Sequence, residues 1–201
     1  MIHIAVRNCS DHLPLCSFAE NIFKILIPKR DSRSPIMVES ITKENTDLSP
    51  EFYFANSNIS ESNKYAQNQF DKFARLVENF VKKNGFNATS KQYLLEAHSY
   101  NLTKDKYTKD KPLKSHLSWH EDDYGGVSMN VVTIVFYLHK SSTIKGGNFL
   151  FHPGNISDHT IIDVDSGTIV IFDGNLTHKV QDAYGLGTRE SVVIQLQRLA
   201  N

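Results

Sequence analysis

This sequence of 201 residues contains few cysteines and no long apolar run. Its two cysteines, Cys9 and Cys16, are too few for a disulfide framework and are not spaced as C-x-x-C. We therefore expect reduced thiols with a structural role. The first residues lack a basic segment followed by an apolar one. A helix that spans a bilayer needs about 20 consecutive apolar residues, and no later segment approaches that length. These absences predict a soluble cytoplasmic protein without a membrane partner.

The sequence also lacks an excess of charge of either sign. Lysine and arginine together number 22, as do aspartate and glutamate, so no overall field would attract nucleic acid or a membrane surface. Hydrophobic residues make up 40% and charged residues 22%, which is a globular composition and not a disordered one. A chain of this length can bury one core, so we expect a single domain.

Two segments in the first half repeat apolar residues at helical spacing. In LCSFAENIFKILI they recur every three or four positions, and Pro28 ends the run. In NKYAQNQFDKFARLVENFVKKNG an apolar face precedes Lys82 and Lys83 in the last turn, and Gly85 suits the position after the helix. We predict two helices joined by irregular segments, with residues 29–35 as an exposed loop.

From Gln92 onward the sequence changes to short runs rich in valine, isoleucine and aromatic residues, bounded by Gly, Asn, Asp or Pro. No helical pattern separates these runs, which favours antiparallel pairing over βαβ units. The fold class predicted is mainly β with flanking α, a jelly roll with N-terminal helices packed on one face. The predicted strands are residues 92–100, 115–120, 129–138, 148–151, 160–164, 168–172 and 190–197.

The stretch SWHEDD places His120 before three consecutive acids. Alternate residues of a strand share a face, so His120 and Asp122 would project together while Glu121 and Asp123 point away. Such a pair can supply two ligands to a divalent metal, although a solvated acidic turn explains the same letters. His178, which follows a strongly apolar strand and a turn, is a third candidate ligand and would complete a set of two histidines and one carboxylate.

The last predicted strand carries Arg189 and Ser191 on one face. A guanidinium that points into a barrel is costly unless an opposite charge accompanies it. A ligand carboxylate, bound by the planar guanidinium and the hydroxyl, would satisfy both side chains. The alternative is an arginine exposed on an edge strand.

Together, H-x-D, the distal histidine and R-x-S resemble the Fe(II)- and 2-oxoglutarate-dependent dioxygenases, whose core is a double-stranded β-helix. The stretch VVTIVFYLHKSSTIKGGNFLF resembles the prolyl 4-hydroxylase-like branch. The resemblance covers about residues 92–196. It implies a domain over 61–201 with its catalytic core at 92–197, preceded by an extension over 1–60 that is part of the same domain.

The resemblance also implies the site residues and the cofactors. His120, Asp122 and His178 match the metal ligands, and Arg189 and Ser191 match the residues that bind the distal carboxylate of 2-oxoglutarate. Tyr137 and Tyr100 match tyrosines near that carboxylate. The implied cofactors are Fe(II), 2-oxoglutarate as cosubstrate and O2, with ascorbate as an optional reductant, and the implied reaction is hydroxylation of a substrate C–H bond.

The substrate is the least defined part of this hypothesis. The resemblance favours a protein side chain such as proline over a small molecule or nucleic acid. His139 and Asn148 depart from the branch's pattern, and we expect them, with the lysine-rich insertion at 101–115, near the mouth of the site. Two other functions stay open: a catalytically silent jelly-roll binding module, and a cupin-type metalloprotein that does not use 2-oxoglutarate.

Overall fold

A computed structural model describes residues 3–27, 36–46, 49–55, 64–102, 106–115, 117–122, 131–153 and 158–199. Seven strands form one sheet in the order β1-β9-β5-β12-β4-β2-β3, in which all neighbours pair antiparallel. The helices are α1 (Leu13–Leu26) and α2 (Lys64–Lys83). The strands are β1 (Ile4–Asn8), β2 (Ile36–Thr46), β3 (Ser49–Ala55), β4 (Ala88–Leu102), β5 (Val131–Lys140), β6 (Lys145–Gly146), β7 (Phe149–Phe151), β8 (Thr160–Ile162), β9 (Thr168–Asp173), β10 (His178–Val180), β11 (Ala183–Tyr184) and β12 (Gly187–Arg198).

A smaller sheet, in the order β10-β7-β8, faces the large one, and a short pair of strands joins β11 to β6. The layer between the two main sheets contains an apolar cluster of buried side chains from both. The residues of this cluster are Val135, Tyr137, Phe149, Phe151, Val164, Val170, Phe172 and Leu176. The double-sheet architecture is the jelly roll that the sequence predicted.

The two helices cover the other face of the large sheet. Alternation along β12 separates the faces, because Val192, Ile194 and Leu196 are fully buried in the core that includes α1 and α2. The ring of Phe73 on α2 packs against that of Phe136 on β5, with centroids 5.6 Å apart. Burial of such side chains contributes about 1.5 to 3 kcal/mol each, so the packing of the helices stabilises the large sheet.

The predicted helices and most predicted strands are confirmed, but two predictions about strands are wrong. The first half was expected to contain only helices and irregular segments, yet β1, β2 and β3 extend the large sheet at both edges. The described residues of 115–120 do not form the strand predicted there. Among them, His120 makes an isolated β-bridge to His178. The loop predicted at 29–35 lies outside the described residues.

The expectation of reduced cysteines is also wrong, because Cys9 and Cys16 form a disulfide. A turn of 3-10 helix at Cys9–Asp11 leads directly into α1, and it brings the two Cα atoms within 5.7 Å. That distance lies within the range that a disulfide requires. Two cysteines seven residues apart can thus be paired by a local turn, which spacing alone did not reveal.

No helix in the part of the chain that the structure describes is both long and apolar enough to cross a membrane.

Candidate active site

Three metal-ligand side chains meet where β10 begins. The backbones of His120 and His178 exchange two hydrogen bonds, with N–O distances of 3.0 and 2.8 Å. Two residues on, the Asp122 amide donates to the Gly174 carbonyl at 2.8 Å. The turn between β9 and β10 therefore positions the H-x-D segment by main-chain pairing. One potential ligand atom from each of His120, Asp122 and His178 lies within 4.8 Å of the others.

Each imidazole is oriented by the backbone carbonyl of the residue two positions earlier. The Nδ1 atom of His120 lies 2.8 Å from the Ser118 carbonyl oxygen, and that of His178 lies 2.8 Å from the Leu176 carbonyl oxygen. A carbonyl only accepts, so each Nδ1 carries the proton and each Nε2 presents a lone pair. These Nε2 atoms lie 3.6 Å (His120) and 3.8 Å (His178) from Asp122 Oδ1.

The second carboxylate oxygen of Asp122 is occupied by the protein. Thr133 of β5, which is buried, donates its hydroxyl to Asp122 Oδ2 at 2.5 Å. This bond turns Oδ1 toward the two imidazoles. Burial lowers the pKa of His178, an effect that the nearby Asp122 charge opposes, so this imidazole tends to stay neutral. The Phe149 and Phe172 rings that bury it lie 5.4 and 4.6 Å from its own ring, between centroids.

The donor set fits a divalent iron. Two neutral imidazoles and one carboxylate on one side of an ion, with the other positions open, are the ligands of non-haem Fe(II) oxygenases. Donors that share an octahedral ion at about 2.1 Å lie about 3 Å apart, so the separations to Asp122 Oδ1 need only small adjustments. The open side of the triad faces a cavity of about 350 Å³ between the sheets, lined by His120, Asp122 and His178 among others.

Arg189 lies in the same cavity and is 1% exposed. Its guanidinium carbon lies 5.2 Å from the centre of the Tyr100 ring and 4.8 Å from that of Tyr137. Among the described residues, its Nε and Nη1 atoms have no hydrogen-bond partner. Burial raises the pKa of Tyr137, opposed by the Arg189 charge, so the hydroxyl remains a donor. Buried donors of this kind favour an anionic ligand.

Ser191 lies next to Arg189 on the cavity face of β12, directly opposite Tyr137 of β5. Gly147 makes room for the arginine: a Cβ atom there would lie 3.1 Å from Arg189 Cδ, and its φ of 68° also favours glycine. The predicted site residues are therefore brought to one cavity or to its wall. Tyr100 contacts Arg189 from the side, whereas the other predicted residues line the cavity itself.

The surroundings differ in part from expectation. Glu121 lies outside the metal-ligand cluster, as expected, although it lines the cavity rim and accepts a hydrogen bond from Thr177 at 3.1 Å. Asp123 lies outside the described residues. His139 faces a separate pocket beside α1. Asn148 accepts a hydrogen bond from Lys140 at 2.9 Å and does not line the cavity.

Sequence reasoning missed other residues of the cavity. Thr133 was given no role, although its hydroxyl orients Asp122. Glu96 and His98 of β4 and Gln195 of β12 also line the cavity. The signal that could have found them is alternation, since each lies an even number of positions from a recognised site residue on the same strand.

Comparisons with known proteins agree with this geometry. Residues 106–196 match the family model described as the 2OG-Fe(II) oxygenase superfamily. No match was found among curated proteins.

Three crystal structures illustrate the fold likeness. IDO from Bacillus thuringiensis has a TM-score of 0.58 at 17% identity, covering 96% of this chain and 91% of that one. An oxidoreductase of the 2OG-Fe(II) oxygenase family from Burkholderia pseudomallei has a TM-score of 0.55 at 16% identity, covering 90% of this chain and 78% of that one. A Pseudomonas putida prolyl-4-hydroxylase has a TM-score of 0.53 at 13% identity, covering 100% of this chain and 95% of that one. At these identities the likeness is one of fold.

Proposed function

Since this chain belongs to the 2OG-Fe(II) oxygenase superfamily and is a 2-oxoglutarate-dependent dioxygenase, we propose that it hydroxylates a substrate C–H bond. In this reaction 2-oxoglutarate, O2 and the substrate R–H give succinate, CO2 and R–OH. We assign the iron ligands to His120, Asp122 and His178, and the binding of the distal carboxylate of 2-oxoglutarate to Arg189.

The observation that carries this assignment is the pairing of two incomplete sites in one cavity. The metal-ligand triad opens toward it, and a fully buried Arg189 with unpartnered donors also lines it. Burying a guanidinium without a compensating anion costs free energy. A dicarboxylate that chelates the metal at one end and meets Arg189 at the other would complete both sites.

Each group of residues has a distinct task. Arg189 and Ser191, with the Tyr137 hydroxyl as a further donor, would bind the distal carboxylate and fix its orientation. His120 and His178 would keep their Nε2 lone pairs on the metal through their Nδ1 bonds to carbonyls. When bound, Fe(II) supplies the redox chemistry by which O2 oxidises both 2-oxoglutarate and the substrate. The apolar walls, formed by Val135, Phe149, Phe172 and Val193, would exclude water from the reacting atoms.

For the substrate, the fold likeness to the Pseudomonas putida prolyl-4-hydroxylase suggests a protein side chain, with a prolyl residue as one candidate. Peptides, nucleic acids and metabolites can be ranked by the succinate that each adds to the turnover of 2-oxoglutarate without substrate. A peptide that gives equal amounts of succinate and hydroxylated product would support this part of the proposal. Stimulation by a nucleic acid alone would contradict it.

The class of reaction is tested by turnover of 2-oxoglutarate with Fe(II) in the absence of substrate. We expect slow formation of succinate by the wild-type chain and none by His178→Ala, because two ligands hold iron too weakly. Lys179→Ala, which alters the neighbouring residue of the same strand, serves as the control. Full activity of His178→Ala would overturn the ligand assignment.

A further inference from the structure

Two of the three metal ligands depend on a single turn, residues 173–178, which we call the metal turn. The turn ends in His178, and its Gly174 carbonyl accepts the hydrogen bond from the Asp122 amide at 2.8 Å. A Cβ atom on Gly174 would lie 3.3 Å from Asp122 Cβ and would overlap a methyl group of Val131, so a side chain there would force these segments apart. A shift of this turn would therefore move both Asp122 and His178.

Main-chain hydrogen bonds tie the start of the metal turn to two strands. The Asp173 amide donates to the His3 carbonyl, just before β1, at 3.3 Å. The Gly174 amide donates to the Val131 carbonyl of β5 at 2.8 Å, and within the turn the Leu176 amide donates to the Asp173 carbonyl at 2.9 Å. These bonds locate the turn, but they leave the carboxylate of Asp173 to be satisfied by a side chain.

Arg198, near the end of β12, is the charge partner of that carboxylate. Asp173 is buried, and its Oδ1 atom makes no hydrogen bond of good geometry among the described residues. The Nη1 atom of Arg198 lies 3.1 Å from this oxygen, and about a third of the Arg198 side chain is exposed. A buried carboxylate is costly without an opposite charge beside it. The ion pair therefore adds a third tie, from β12 to the first residue of the metal turn.

The ion pair lies behind the large sheet and not in the cavity. Alternation along β9 places Asp173 on the same face as Ile169 and Ile171, which belong to the core that includes the helices. Neither Asp173 nor Arg198 is among the described residues that line the cavity. An effect of this pair on the metal must therefore pass through the metal turn, because there is no direct contact.

We propose that Asp173 and Arg198 are positioning residues of the metal site. Their ion pair holds the metal turn in place, and through it His178 and Asp122, in the arrangement that binds a divalent metal. This inference rests on the proposed function for the identity of the metal, and it gives a role to two residues that contact neither metal nor substrate. Strand β12 then serves both ends of the site, with Arg189 at the cosubstrate and Arg198 at the metal turn.

The test measures the affinity for Mn(II), by electron paramagnetic resonance titration without cosubstrate, in variants that are folded by circular dichroism. Arg198→Gln removes the positive charge, and Arg198→Lys keeps it. Asp173→Asn removes the negative charge at nearly constant shape, and the double variant removes both charges. Glu78→Gln, which removes hydrogen bonds between α2 and β4, is the control for a loss of stability elsewhere.

We expect Arg198→Gln and Asp173→Asn each to lower the Mn(II) affinity about tenfold, the lower end of the effect of residues that orient metal ligands. Arg198→Lys should stay within about threefold of wild type, because the charge is kept. The double variant should bind no more weakly than either single variant, since both changes remove the same interaction. Glu78→Gln should leave the affinity unchanged.

The outcomes separate this inference from the proposed function, because succinate formation is measured independently. Loss of Mn(II) affinity in the expected pattern, by a chain that forms no succinate, would support the positioning role and contradict the oxygenase assignment. Succinate formation by the wild type, with Mn(II) affinity unchanged in Arg198→Gln and Asp173→Asn, would overturn the positioning role alone. An equal loss in Glu78→Gln, or losses that multiply in the double variant, would also overturn it.

Discussion

Asp122 illustrates how a single side chain can be selected from a crowded sequence. Three acids follow His120, but only Asp122 belongs to the metal-ligand cluster among the described residues. Its backbone pairs with Gly174, and Thr133 occupies its other oxygen. These contacts explain why the spacing H-x-D, and not the mere presence of acids, defines the site.

Removal of Asp122 tests that selection. We expect Asp122→Ala to lower the affinity for Mn(II), a spectroscopic substitute for Fe(II), by more than about 100-fold, since the loss of second-sphere partners alone costs 10- to 100-fold. Glu121→Ala should stay within about threefold of wild type, because Glu121 contacts Thr177 and not the other ligands. Electron paramagnetic resonance titration measures both affinities. The reverse ranking would mean that the ligand assignment is wrong.

Arg189 permits a prediction about the cosubstrate. Truncating one member of a buried charge pair costs about 3 kcal/mol, so Arg189→Ala should weaken 2-oxoglutarate binding about 100-fold. Binding of the metal should change little, because Arg189 belongs to the opposite end of the cavity. Calorimetric titration of the Zn(II)-loaded protein measures the first effect, with Arg75→Ala on the exposed face of α2 as control. Loss of metal with unchanged 2-oxoglutarate affinity would contradict the assigned role.

The residues that were predictable and those that were not differ in how they are specified. His120, Asp122, His178 and Arg189 carry unusual chemistry at recognisable spacings, so the sequence was sufficient to propose them. Gln195 carries no unusual chemistry, and its place in the cavity opposite Thr133 depends on strand register. Register results from long-range pairing and is not contained in any local pattern.

At the scale of elements, β12 organises the site because it pairs with both β4 and β5. One of its faces packs against the helices, and the other carries Arg189, Ser191 and Gln195 into the cavity. Its two faces were predictable, because residues two positions apart on a strand share a face. By contrast, β2 and β3 were missed because their sequences mix polar and apolar residues, and tertiary pairing overrides so weak a local preference.

The connection between α2 and β4 depends on Glu78. Its carboxylate accepts hydrogen bonds from Lys82 at 2.6 Å and from the Ser90 amide and hydroxyl at 2.8 and 2.6 Å. Burial raises the pKa of Glu78, but these bonds and the Lys82 charge outweigh it, so the pKa lies below the ordinary 4.5. A carboxyl group with a lowered pKa stabilises the folded state above its unfolded pKa. That contribution is lost as the pH falls through the folded value.

We therefore expect Glu78→Gln to lower the free energy of unfolding by about 1 kcal/mol at pH 7, the net value of such hydrogen bonds. The difference from wild type should shrink as the pH falls below 4.5. Urea denaturation across this range measures it, and Glu20→Gln on α1 provides a matched control. A difference that is constant or grows at acid pH would contradict the role given to Glu78.

For the whole molecule, the Cys9–Cys16 disulfide fastens the start of α1 beside β1, at the edge of the large sheet. A closed loop of this size stabilises a fold by about 2 kcal/mol through the unfolded chain. The double variant Cys9→Ala with Cys16→Ala should therefore lower the free energy of unfolding by about that amount. Reductant should destabilise the wild type similarly and leave the double variant unchanged. Insensitivity of the wild type to reductant would show that the bridge does not form in solution.

The architecture as a whole was more predictable than its edges. Short apolar runs separated by turns suffice to indicate a jelly roll, and two amphipathic helices suffice to cover one sheet. The pairing of β1 with β9 and of β2 with β4 brings together segments far apart in the chain, which no local pattern encodes. The catalytic end was predictable because its residues are defined by chemistry as well as by hydrophobicity.

The central claim is that this cavity couples a His–Asp–His iron site to an arginine that binds 2-oxoglutarate. It is tested most directly by measuring succinate formed from 2-oxoglutarate, with Fe(II) and O2, by the wild type, Asp122→Ala and Arg189→Ala over a range of 2-oxoglutarate concentrations. We predict activity in the wild type, none in Asp122→Ala at any concentration, and recovery of Arg189→Ala only at about 100-fold higher 2-oxoglutarate. Wild-type turnover by Asp122→Ala, or an unchanged concentration dependence in Arg189→Ala, would contradict the account.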